Sequence, residues 1–159
     1  MQPAAQSYEE RLTVPTGWWV ITALVGVSGG LILLPFGVLP MLAGLVGAAA
    51  LTATGVSAYG SARIRVVADS LVAGDARIPL TALGEVERLD AEGARAWRSY
   101  KADPRAFMLL RAYVPTAVRI EVVDPADPTP YVYLSTRDPE GLAEALAAAR
   151  AAGAERSAG

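Results

Sequence analysis

Arg95, Trp97, Arg98, Tyr100 and Lys101 lie close together within residues 90–105. Cations beside aromatic rings suit an anionic partner. A ring face attracts a cation, and each basic group near an anionic leaflet adds about 1 kcal/mol. These five residues are therefore the candidate contact for an anionic lipid, a nucleotide-like ligand or a protein partner. A plainer use is an amphipathic turn of helix that covers the open end of a barrel, with Trp97 packed inward. Glu92 and Asp103 offset part of the charge, and the plainer use is favoured.

Two other groups of residues have the right types for chemistry. Asp124 and Asp127, on a loop stiffened by Pro125, Pro128 and Pro130, offer carboxylates to a hard cation. Such a cation wants six or more oxygens, so local bonds from the aspartates to the backbone are the better account. Arg105, Arg111, Arg119 and Arg137 would form an anion site only if the fold brings them together. The chain has no His and no Cys. It therefore lacks the commonest general base, the thiolate nucleophile and the commonest metal ligands. No catalytic residue, metal ligand or cofactor is expected, and a formal net charge of −2 gives no general pull toward nucleic acid.

The elements that position these residues begin with an uncharged stretch. Residues 12–62 contain no Asp, Glu, Lys or Arg. Pro35-Phe36-Gly37-Val38-Leu39-Pro40 interrupts the stretch, because Pro35 cannot continue a helix and Pro40 suits the first turn of another. The pattern predicts a hairpin over residues 18–59, made of helices over 18–34 and 38–59. At 1.5 Å per residue the helices span roughly 25 Å and 33 Å, and a bilayer core takes about 20 apolar residues. One centred charge would cost about 2.5–3.5 kcal/mol, and none is present. Gly26 with Gly30, and Gly44 with Ala48, are small-residue pairs that let backbones approach. Packing within the hairpin is the favoured use, and homo-oligomerisation the other. Arg11, Arg63, Arg65 and Arg77 flank the hairpin while its turn is uncharged. The positive-inside bias then predicts a multi-pass protein of the inner cell membrane with both termini cytoplasmic.

Residues 1–17 read as a cytoplasmic lead-in without the basic start of a secretory signal. Within it, Tyr8 to Pro15 is expected along the membrane surface. After Ser61 the periodicity becomes two, as in half-buried strands. Residues 63–66, 71–72, 77–80, 85–89, 118–122 and 131–134 are the expected strands, antiparallel because their connections are short. Asp138 and Pro139 open a last helix whose apolar stripe is Leu142, Ala145, Leu146 and Ala149. The expected fold class is a membrane α-helical hairpin plus an α+β cytoplasmic domain over residues 62–152. That domain is expected to be a pleckstrin-homology-like antiparallel barrel or sandwich capped by its C-terminal helix, with a frayed tail over 153–159.

Several motifs together resemble a known family. They are Tyr8-Glu9-Glu10-Arg11-Leu12 before Trp18-Trp19, Ala102-Asp103-Pro104-Arg105-Ala106-Phe107 and Val114-Pro115-Thr116-Ala117-Val118. Asp124-Pro125-Ala126-Asp127-Pro128-Thr129-Pro130-Tyr131 and Ser135-Thr136-Arg137 complete the set. The chain resembles a family of small actinobacterial membrane proteins known only as a domain of unknown function. The resemblance implies two membrane helices and a cytoplasmic domain, and it brings no activity. The phosphoinositide-binding members of the pleckstrin fold carry basic residues in the first hairpin loop, where this chain has Ala68-Asp69-Ser70. The expected function is a non-enzymatic binding or scaffold module, held in the bilayer and docking a protein partner. The alternative is an enzyme or enzyme subunit acting on a lipid-borne or anionic substrate through residues 90–105.

Overall fold

The computed structural model describes residues 8–158, so the first seven residues of the lead-in and residue 159 of the tail lie outside it. The chain divides into two compact units, residues 13–62 and residues 1–12 with 63–159.

The smaller unit is the hairpin: α1 (Gly17–Leu33), a 3-10 turn (Leu34–Phe36) and α2 (Val38–Tyr59). Gly37 takes φ +113° between the turn and α2, a backbone region that only glycine enters cheaply. The two helices touch through glycine. A Cβ added at Gly29 would stand 2.6 Å from the Gly44 carbonyl oxygen and 2.7 Å from the Ala48 Cβ, and one at Gly26 would stand 2.9 Å from the Ala49 Cβ. Gly30 faces Leu45 and Met41. Partner numbers fall as α1 numbers rise, so the helices run antiparallel. Trp18 stacks on Tyr59 at 5.7 Å where the two ends meet. Thr22, Ser28, Thr52 and Thr54 each return their hydroxyl to the carbonyl four residues earlier, which satisfies them without water. Gly17–Phe36, which is α1 with the 3-10 turn, and Val38–Tyr59 are each long and apolar enough to cross a bilayer.

The larger unit is α+β. Its first sheet has the order β1 (Glu9–Arg11), β2 (Arg63–Val67), β3 (Ser70–Ala73), β4 (Ala76–Pro79), antiparallel throughout. A 3-10 turn (Leu80–Ala82) leads into the second sheet, which contains β5 (Leu83–Leu89), β6 (Phe107–Leu109), β7 (Ala117–Val122) and β8 (Tyr131–Ser135) in the order β5-β7-β8-β6. Between β5 and β6 lies α3 (Ala91–Trp97), and α4 (Pro139–Ala158) ends the described chain. Alternation along the strands turns Ile64, Val66, Leu71, Val118, Ile120, Val132 and Leu134 into the core with Leu142 and Leu146 of α4. The Asp138 carboxylate accepts the Gly141 N–H at 2.9 Å and caps α4, in the manner an N-cap requires.

Four features differ from the sequence reading. The sheets do not close into a barrel: β4 ends at Pro79, which has no N–H for a further ladder, and the 3-10 turn carries the chain to a separate sheet. The unit is not wholly antiparallel, because β6 pairs with β8 in parallel. Glu9–Arg11 of the lead-in is the edge strand β1, paired with β2. Finally, α4 continues through Gly153 to Ala158 where a frayed tail is expected.

Candidate functional site

Residues 90–105 cover the face of the second sheet that points away from the main core. Asp90 starts α3 by accepting the Gly93 N–H at 2.7 Å. Helical spacing then turns Ala94 and Trp97 to the same face, toward the sheet, and the small side chain at Ala94 lets α3 lie close to it. Ala94 joins Leu89, Ala117, Tyr131 and Tyr133 in a second core, against which Trp97, Ala106 and Met108 pack. The buried Tyr133 hydroxyl donates to the Ala94 carbonyl at 3.1 Å. Burial pushes that hydroxyl's pKa up, against the opposing pull of Arg98.

Trp97 is the hinge of the arrangement. It meets Tyr131 edge-on at 5.2 Å. The Arg119 guanidinium carbon lies 4.3 Å from the Trp97 ring centre and 5.0 Å from that of Tyr131. Arg119 also bonds Glu87 at 3.2 Å, its cross-strand neighbour. Lys101 stands over Trp97 at 5.5 Å. The Tyr131 hydroxyl accepts the Asp103 N–H at 2.9 Å, tying down the far end of the segment. On the other side of α3, Arg95 and Tyr100 line an open groove with Ala91, Glu92, Ala96 and Ser99. Tyr100 is 81% exposed. Of the five expected contact residues, then, Arg95 and Tyr100 share the groove, Trp97 and Lys101 share the aromatic stack, and Arg98 is half-buried beside Tyr133.

The remaining groups are engaged locally. Arg105 forms a two-pronged pair with Asp103 at 3.0 and 3.2 Å, which holds the Asp103 carboxyl below the usual carboxylate range. Arg111 reaches the Leu110 carbonyl, Arg119 reaches Glu87, and Arg137 lies over the Tyr113 ring at 5.8 Å. Asp124 and Asp127 accept the backbone N–H groups of Ala126 and Thr129, each at 2.9 Å. Among the described residues no group of three or more Asp and Glu gathers to hold a metal.

Sequence reasoning missed a second constellation. The Glu10 carboxylate on β1 accepts the Thr136 hydroxyl at 2.5 Å, the Arg137 N–H at 2.9 Å and the Tyr8 hydroxyl at 3.1 Å. Thr136 is fully buried, and so is Leu12, whose carbonyl accepts the Tyr113 hydroxyl. Burial pushes the Tyr8 hydroxyl up to about 12. The signal for this latch lay in motifs far apart in the chain, Tyr8-Glu9-Glu10-Arg11-Leu12 and Ser135-Thr136-Arg137, which the fold brings together.

Fold and site define a class: an apolar two-helix hairpin inserted into the chain of a small α+β unit whose polar side chains brace one another. Residues 7–146 match the model of the family described as Protein of unknown function (DUF3093), and the chain belongs to that family. No curated protein and no solved structure matches it.

Proposed function

We propose that the protein is a membrane-anchored, non-enzymatic binding module with two bilayer-spanning helices and its α+β unit on the cytoplasmic side. One observation carries the reading. Outside the glycine seam the hairpin leaves large apolar side chains uncovered, among them Leu39 at 81%, Leu51 at 79% and Ile32 at 71% exposure. Each would gain roughly 1.5–3 kcal/mol by leaving water, and lipid is the medium that takes them all at once. The arginines at the outer ends of the hairpin, with none at its turn, support cytoplasmic termini. Two four-stranded sheets followed by a C-terminal helix support a pleckstrin-homology-like sandwich, a likeness of architecture that carries no activity.

The binding surface is the groove of α3, where Arg95 and Tyr100 stand free of the second core. A photo-crosslinker in place of Tyr100, used in intact cells, tests this. The reading predicts one reproducible adduct that Arg95→Glu abolishes. No adduct, or one indifferent to Arg95→Glu, overturns it.

A further inference from the structure

We propose that the solvent face of the first sheet docks onto anionic lipid headgroups of the membrane holding the hairpin, an inference that rests on the membrane reading above. Strand register carries it. Across the sheet Glu9 pairs with Arg65, Arg65 with Val72 and Val72 with Arg77, while Arg11 sits directly opposite Arg63. Directly paired residues, and residues two apart on one strand, share a face. Arg11, Arg63, Arg65 and Arg77 therefore lie on one side, and all four are exposed.

Among the described residues the only carboxylate on that face is Glu9, which reaches Arg63 at 3.7 Å. Glu10 points the other way, to Thr136, and Asp69 and Asp75 occupy the turns at either end of β3. Among the described residues Arg11, Arg65 and Arg77 make no ion pair. Like charges directly opposite each other destabilise a ladder, so the Arg11–Arg63 pairing is a local cost that an external anion relieves. Chain connectivity gives β1 and β2 short tethers to the hairpin. Arg63 follows the last residue of α2, Tyr59, by four positions and Arg11 precedes Gly17 by six, or at most roughly 14 and 21 Å of extended chain. Planar, fork-shaped guanidinium groups match phosphate oxygens, and a headgroup layer presents phosphates as a surface to a flat sheet.

The test uses the full-length protein with Val67→Cys, on the same face and 39% exposed, in a chain with no other cysteine. It is placed in nanodiscs of phosphatidylcholine alone or mixed with phosphatidylglycerol. The introduced thiol should react with a water-soluble maleimide at least about fivefold more slowly in the anionic discs. High salt should restore the rate, as should the combined substitution R11Q/R65Q/R77Q. A thiol introduced by Ala126→Cys, exposed on the loop between β7 and β8, should react equally in both discs. Equal rates for Val67→Cys, or a slowing that survives the triple substitution, overturn the proposal. Protection in native membranes but not in lipid-only discs assigns the face to an acidic protein and also overturns it. If the triple variant does not fold, Arg77→Gln on the edge strand must by itself reverse at least half of the slowing. Failure of the membrane reading looks different: the protein would not enter the discs.

Discussion

Glu10→Ala should release the N-terminal strand. The carboxylate receives three donors, at 2.5, 2.9 and 3.1 Å. A hydrogen bond to a charged group is worth about 1.5–3 kcal/mol, and a buried hydroxyl left without its acceptor costs about 1–3 kcal/mol. The Thr136 hydroxyl is such a group, on a residue with no exposed surface. The Arg137 N–H and the Tyr8 hydroxyl are on more exposed residues and recover water bonds, so the terms do not add fully. We expect a loss of about 2–4 kcal/mol. The clean readout is amide exchange in β2, because the Val66 N–H bonds the Tyr8 carbonyl at 3.0 Å and is exposed when β1 leaves. In full-length protein in detergent, that exchange should accelerate by roughly 30- to 800-fold. Thr136→Val combined with Glu10→Ala should cost less than the sum of the two single substitutions, since they remove one shared bond. Unchanged exchange at Val66 in Glu10→Ala would refute the latch and return the lead-in to the membrane surface.

Three further outcomes follow from the same geometry. Gly29→Leu should separate the helices and destabilise the hairpin by at least about 1–3 kcal/mol, read as a lowered melting temperature in detergent; Gly47→Ala, where an added Cβ meets nothing within 4 Å, should be near neutral. Trp97→Ala should cost about 2–4 kcal/mol by unstacking Tyr131 and Arg119, whereas Tyr100→Ala should stay within about 0.5 kcal/mol in the same melt. Tyr8 is protonated more tightly in the fold, at about 12 against 10.0. Its contribution is therefore complete below pH 10 and is lost as pH rises toward 12, and Tyr8→Phe should flatten that part of an alkaline unfolding curve.

The hairpin was legible because its signal is local. Charges are absent over an unbroken stretch, and Pro35, Gly37 and Pro40 punctuate it. The α4 start was legible for the same reason, since Asp138, Pro139 and the Leu142/Leu146 spacing lie within one another's reach. β1 was not. Glu9-Glu10-Arg11 has no apolar alternation and becomes a strand only because β2, beyond the hairpin, offers its edge and Thr136 offers a hydroxyl. The parallel pairing of β6 with β8 is likewise a long-range choice that three residues cannot announce. At the candidate site the inward turn of Trp97 followed from helical spacing against the sheet. Its partner Arg119 did not, because that contact depends on the β5–β7 register that sets Arg119 beside Glu87.

The central claim is that lipid surrounds the hairpin, with the turn outside and the α+β unit inside. Phe36→Cys at the turn and Ser157→Cys near the end of α4 place single thiols at the two ends of that geometry. In intact cells a membrane-impermeant maleimide should label Phe36→Cys at once and Ser157→Cys only after permeabilisation. Labelling of Ser157→Cys in intact cells, or recovery of the protein in the soluble fraction without detergent, would contradict it.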